Sequence, residues 1–206
     1  MNLKNTLLVS ICIGLFILSC TRVMVPPVVD LKSHQAVGII MFKCSEGGNL
    51  DAFVTQKFIQ EITKDQRPVE ILEMGKEADI LAAVQKTILD IDAYKAIGQK
   101  YNLKSIIVGD IQISDVQPEI NIAPGFSFIG ARGVIQATLV ARMVETTNGA
   151  TIWTGSARDK REVGSISLVG GHFMFDAQDP EQAYGPMTEA LVKNTTKDFK
   201  NTWQWK

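Results

Sequence analysis

Two short apolar runs, each too continuous to leave one face in water, constrain this chain more than any other feature. Val37, Ile39 and Met41 with Ile40 and Phe42 between them make the first, and Ser105-Ile106-Ile107-Val108-Gly109 the second. A strand that alternates apolar and polar residues covers a core with one face, whereas a continuously apolar strand is buried on both. Such strands lie inside a sheet with helices on either side, and the sequence between the two runs supplies helices. After Gly47-Gly48 breaks the chain, Leu50, Phe53, Val54, Phe58 and Ile62 recur at helical spacing through about Lys64. Pro68 restarts an extended stretch from Val69 to Met74, and Ala78 to Lys86 is helical in composition. A further helix carries Tyr94, Ile97 and Tyr101 on one side, with Asp90 or Asp92 placed to accept the free amide hydrogens of its first turn. The order is βαβαβ, which predicts an α/β (α+β) fold with a mixed sheet.

The second half reads mostly as strand. Val134 to Val144 is rich in β-branched and apolar residues, Asn148-Gly149 offers the positive backbone angles of a tight turn, and Ala150 to Ala157 runs back with Ile152 and Trp153. A C-terminal helix is expected from about Pro186, with Met187, Leu191, Thr195 and Phe199 at spacing four and Trp203 packing it on the sheet. Two short β-hairpins are inserted around the long one. In the first, between Asp115 and Gly133, Ile120 and Ile122 alternate with polar residues, Pro124-Gly125 turns the chain, and Phe126 and Phe128 alternate back. In the second, between Glu162 and Asp176, a two-residue Gly170-Gly171 loop pairs Leu168 with Phe173 and Ile166 with Phe175, all four on one face. Either these apolar faces meet a bilayer or they fold back as core or subunit contacts. A membrane-crossing strand needs about 9 to 11 residues, and Asp115, Glu119 and Asp176 keep both hairpins short.

Ahead of the domain, Lys4 precedes an apolar run from Leu7 to Leu18 that closes on Ser19-Cys20. This is a secretory signal over residues 1–19, too short to span a bilayer as a stable helix. Its ending resembles the lipobox of bacterial lipoproteins, whose Cys becomes the lipidated (palmitate-bearing) first residue of the mature protein, so Cys20 is the expected anchor. Thr21 follows, and in familiar enterobacterial lipoproteins a residue other than Asp there implies sorting to the outer membrane. Residues 20–34, with Pro26-Pro27, read as an extended tether, and 35–206 as a single domain. The mature chain carries 20 Lys+Arg against 22 Asp+Glu once Lys4 is removed, a balance that argues against nucleic-acid partners. Cys12 leaves with the signal and Cys20 is spent on lipid, so Cys44 stands without an internal disulfide partner and is expected to be a small buried residue.

Ala36-Val-Gly-Ile-Ile-Met-Phe42 before a Gly-Gly turn, Asp92 through Gly109, and the phrase Val144-Glu-Thr-Thr-Asn-Gly-Ala-Thr-Ile-Trp-Thr-Gly155 together resemble the superfamily of the TolB amino-terminal domain. That group includes the curli secretion channel lipoproteins and the lipoprotein activators of penicillin-binding proteins. The two inserted hairpins tilt the resemblance toward the curli-channel branch, in which hairpins at these places close into a membrane barrel across many subunits. It implies a lipid-anchored, homo-oligomeric secretion or assembly component on the periplasmic face of the outer membrane, with other envelope proteins as partners. The alternative branch implies a regulatory lipoprotein that binds and activates a peptidoglycan-synthesis enzyme.

An enzyme, with a periplasmic hydrolase as the distant alternative, has little to rest on. His34 and His172 have no partner at metal-ligand spacing. Ser45, Glu46 and His172 lack a nucleophile-elbow pattern, and Gly47-Gly48 lacks the rest of a phosphate loop. Arg158-Asp-Lys-Arg-Glu162 mixes signs, as a solvated strand end does. No cofactor, metal or small-molecule substrate is expected.

Overall fold

The structure, a computed structural model, describes residues 21–45, 49–114, 117–122, 129–163, 167–169, 172–174 and 180–205. The signal, Cys20, Gly47-Gly48, Phe126, Phe128, Ile166 and Phe175 lie outside the described residues. The chain opens with β1 (Arg22–Val25) and a 3₁₀ turn at Leu31–His34, then β2 (Ala36–Ile40), β3 (Lys43–Cys44) and helix α1 (Leu50–Thr63). Next come β4 (Glu70–Gly75), α2 (Glu77–Ala83), α3 (Ile91–Tyr101) and β5 (Ser105–Ile113). The second half runs β6 (Gln117–Ile122), β7 (Ile129–Glu145), β8 (Thr151–Val163), β9 (Ser167–Val169), β10 (His172–Met174) and α4 (Pro180–Thr195). A 3₁₀ turn at Lys197–Phe199 and β11 (Thr202–Trp205) complete it.

The fold is α/β with a mixed sheet, as the sequence predicts. β4, β2 and β5 lie side by side and parallel, β7 pairs antiparallel with β5, and β8 pairs with the other side of β7. The crossover from β2 to β4 moves outward and the one from β4 to β5 moves back, so two crossovers of the same hand put their helices on opposite faces. Consistent with this, Val54, Phe58 and Ile62 of α1 pack with Ile39, Ile107, Ile111, Leu139 and Met143, while Tyr94 and Ile97 of α3 pack with Ile40, Ile106 and Val144. Neighbouring residues of one strand, Ile39 and Ile40 or Ile106 and Ile107, thus belong to different cores. That is why both runs are apolar at successive positions; full burial of each such side chain stabilises by about 1.5–3 kcal/mol. α4 joins α1 through Met187 and Leu191.

Local chemistry places the elements. Asp90 caps α3, its Oδ1 accepting the Ala93 N–H at 2.8 Å. The buried Thr55 hydroxyl donates to Asp51 O at 2.6 Å and accepts the Phe42 N–H at 2.9 Å, tying the end of β2 to α1. The Phe42 ring then lies over Gly109, where a Cβ would come within 2.6 Å of it. Phe42, Phe58, Phe199 and Trp153 continue as a chain of tilted and edge-on rings, with centroids 4.9, 6.4 and 4.6 Å apart, each pair adding about 0.5–1.5 kcal/mol beyond burial.

Several expectations are corrected. The C-terminal helix starts at Pro180, and Pro186 lies inside it; Pro180 takes the first-turn position where a missing amide hydrogen costs nothing. Trp203 sits on β11, 63% exposed, and does not pack a helix on the sheet. In the long hairpin only Gly149 has a positive φ, +73°. The turn is a four-residue loop, Thr146–Gly149, closed by Glu145 N–H to Ala150 O at 2.8 Å and Gly149 N–H to Glu145 O at 2.9 Å. Cys44 is half-buried, against the core rather than in it. The stretch read as a tether is held at two places, through β1 paired with β11 and through Leu31, which is fully buried.

Candidate assembly surface

β7, seventeen residues, is the longest strand described. Its Ala137–Glu145 segment pairs with β5 and its Ile129–Val134 segment pairs with β6, both antiparallel and on the same side. β5 and β6 therefore follow one another along one side of β7, β5 ending at Ile113 opposite Ala137 and β6 starting at Gln117 opposite Val134. Ser114 ends the β5 segment: its N–H donates to Gln136 O at 2.8 Å and its Oγ accepts the Gln136 N–H at 3.0 Å. The β6 arm of the first inserted hairpin thus continues along β7 beyond the end of β5.

Register decides which residues share a face. Ile120 opposes Ala131 and Ile122 opposes Ile129. Among the described residues the β6–β7 pairing runs for six residue pairs, about 20 Å at 3.3 Å per residue. Pro118 in β6 marks an outer strand, because proline cannot donate to a second neighbour. The second hairpin has the expected register: Phe173 pairs with Leu168, and His172 pairs with Val169. β9 follows β8 in the chain, after the end of β8 that pairs with Gly133. Sequence alone did not show that the β6 arm follows β5 along the same strand, because Gly130-Ala-Arg-Gly133 breaks the β-branched run of β7 just where the pairing passes from one to the other.

The opposite end, where β2 and β5 begin, holds the first and last described strands, β1 and β11. Gln66, 1% exposed, is its centre. Its Oε1 accepts the Leu31 N–H at 3.1 Å, and its Nε2 donates to Val29 O at 2.6 Å and to Phe199 O at 2.9 Å. Val29 N–H also donates to Asp198 O at 3.1 Å, and Trp153 Nε1–H to Asp198 Oδ2 at 3.1 Å. Glu61 pairs with Lys200 and Lys64; burial raises its pKa, but these two lysines outweigh that and hold the carboxyl below its usual range. From this root β1 and β11 project as a two-stranded ribbon, with Arg22 opposite Trp205 and Met24 opposite Trp203.

His34 lies near this end, its pKa lowered chiefly by burial and by Lys104, against the pull of Glu145 and Asp30. Tyr94, beneath the hairpin, has its pKa raised by burial despite the Arg142 guanidinium, which donates to its hydroxyl at 3.1 Å. An open groove of about 870 Å³ is lined by residues including Lys32, Arg67, Glu70 and Glu73, with no histidine or cysteine in its wall. Among the described residues no three His, Cys, Asp or Glu side chains are placed to hold a metal ion, and no helix is long and apolar enough to cross a membrane.

No family model and no curated protein matches the chain. Solved structures with a similar course include the PelC dodecamer from Paraburkholderia phytofirmans, at 8% identity over 87% of this chain and 96% of that one, TM-score 0.43. Lipoprotein GNA1162 from Neisseria meningitidis is 13% identical over 64% of this chain and 86% of its own, TM-score 0.41. The LpoB C-terminal domain from Salmonella enterica is 8% identical over 66% and 84%, TM-score 0.39. Likeness of this degree transfers no role to the chain.

Proposed function

We propose that this chain is a non-enzymatic, lipid-anchored component of the bacterial cell envelope, held through Cys20 at the periplasmic face of the outer membrane. It works by assembling with copies of itself as a curli-channel-like secretion or assembly component. The observation that carries this reading is the strand overhang. A two-stranded hairpin is at best marginally stable in water, and among the described residues the outer edge of β6 past Pro118 carries backbone groups open to pairing. Six residue pairs with apolar positions Ile120, Ile122 and Ile129 on one face are therefore a surface to be covered by a neighbour.

The same overhang favours a second reading. Asp115 and Glu119 flank one of its arms, which leaves little of the 9 to 11 residues a membrane-crossing strand needs and suits a regulatory lipoprotein that binds a wall-synthesis enzyme without forming a pore. Native mass measurement of the detergent-extracted protein separates the two, because a device built by self-assembly closes a ring. A multi-subunit particle that Ile120→Asp and Phe173→Asp reduce to folded monomers supports self-assembly. A monomeric wild-type protein moves the regulatory reading ahead, and unfolding of both variants returns these positions to ordinary core.

A further inference from the structure

From the β1–β11 ribbon we infer a membrane-seating surface: Arg22, Met24, Trp203 and Trp205 sit in the interface of the leaflet that holds the lipid of Cys20. The inference rests on the anchor reading and adds a second, non-covalent contact to it.

Strand geometry assembles the surface. Residues directly opposite in an antiparallel pair point to the same side, and positions two apart along a strand share it. Arg22 with Trp205 and Met24 with Trp203 are opposite pairs two positions apart, so all four share one face. Trp203 and Trp205 are each 63% exposed and Met24 53%. Two tryptophans and a methionine standing together in water need a cover. The Arg22 guanidinium lies 4.3 Å from the centre of the Trp205 ring, an amphipathic pair with a cation at its edge.

Position identifies the cover. Arg22 is the second residue after Cys20, so two peptide units of about 3.8 Å each are all that separate the ribbon from the acylated residue. A ribbon this close to the lipid attachment point is at headgroup level. Tryptophan concentrates at that level because its ring is apolar and its N–H is not, and an arginine there meets lipid phosphate. The ribbon is also fixed to the body: Gln66 holds the chain just after β1 and just before β11, and Asn201 N–H donates to Asp65 Oδ2 at 3.1 Å. Seating the ribbon therefore sets the orientation of the whole domain on the membrane.

The test uses the full lipidated chain in phosphatidylethanolamine–phosphatidylglycerol vesicles, with brominated phosphatidylcholine as the quencher inside the bilayer and acrylamide as the quencher in water. Trp153 is buried, so two of three tryptophans report on the ribbon, and bromolipid quenches up to about two thirds of the emission if they are seated. The Trp203→Ser/Trp205→Ser variant should float with the vesicles as well as wild type and lose that quenching. Floated wild-type protein quenched fully by acrylamide and not by bromolipid overturns the seat alone. Emission shielded from both quenchers overturns it too, and gives the ribbon to a protein contact. Wild-type protein that does not float at all overturns the Cys20 anchor, and the seat with it.

Discussion

Gln66→Ala is the most informative single change to the folded domain. The side chain is buried and makes three hydrogen bonds, to Leu31 N–H, Val29 O and Phe199 O. Each contributes roughly 1 kcal/mol net, and a buried partner left without a replacement costs about 1–3 kcal/mol. Truncation should therefore destabilise the domain by about 3–5 kcal/mol, a large part of the roughly 5–15 kcal/mol available to a domain. At about 2–4 °C per kcal/mol for a chain of this size, the melting temperature falls by roughly 6–20 °C. Urea unfolding measures the loss as a lower midpoint at unchanged slope, and hydrogen exchange at the Leu31 amide should speed up by a corresponding factor. Gln66→Glu keeps the acceptor for Leu31 N–H but sets a carboxylate against two carbonyl oxygens, so it costs at least as much at neutral pH. It recovers as the pH falls, because the protonated acid regains one donor. A midpoint for Gln66→Ala within about 0.5 kcal/mol of wild type, with Leu31 exchange unchanged, would refute the reasoning.

Gly149→Val should lose about 2–4 kcal/mol, since φ is +73° there and a Cβ would come within 2.8 Å of Ile91; an unchanged urea midpoint would show that the loop re-forms without strain. Cys20→Ser should leave an uncleaved precursor or release the protein from the membrane fraction, because bacterial lipoproteins hold by several acyl chains together; normal processing and retention would sink the anchor. Both His34 and Glu61 have lowered folded pKa values, so the unfolded chain binds more protons in each window and stability falls as pH falls. Melting curves should show loss starting below the ordinary value of 6.5 for His34 and again below 4.5 for Glu61; His34→Gln should flatten the upper step, and an unaltered pH profile in that variant would exclude the residue.

What could be read from the sequence was what two-sided burial or loop length dictates. Ile39-Ile40 and Ile106-Ile107 face different cores, and no other arrangement tolerates apolar residues at successive strand positions. The Leu168–Phe173 pairing follows from a two-residue Gly170-Gly171 loop. Pro186 could not be placed, because a proline that can start a helix gives no local sign that Pro180 already has. Gln66 was invisible for a different reason: its partners lie 35, 37 and 133 residues away, and Asp65-Gln66-Arg67 reads as an ordinary polar turn. The ribbon did leave a trace in Thr202-Trp-Gln-Trp205, whose period of two is that of a strand, but its partner strand lies at the far end of the chain.

The two ends of the sheet cannot both belong to one bilayer in a spanning orientation. Trp153, which packs on Phe199 at the root of the ribbon, pairs with Met143, and the last described pair of the overhang is at Ile129. The fourteen steps along β7 from Met143 to Ile129 measure roughly 46 Å at 3.3 Å each. Even tilted by about 45°, as strands of a membrane barrel are, the tip stands roughly 33 Å above or below the root, so with the ribbon at headgroup level a tip in the hydrocarbon would draw the body of the domain in with it, Lys57 and Glu61 of α1 included. If the ribbon sits in the leaflet, the overhang with Ile120 and Ile122 projects away from it, and its apolar face is left to other subunits or partners. If instead the hairpins enter the membrane, the ribbon is lifted clear and Trp203 and Trp205 face water or protein. Bromolipid quenching of those two tryptophans therefore also decides between bilayer and subunit contact for the hairpins, without any substitution in the hairpins themselves.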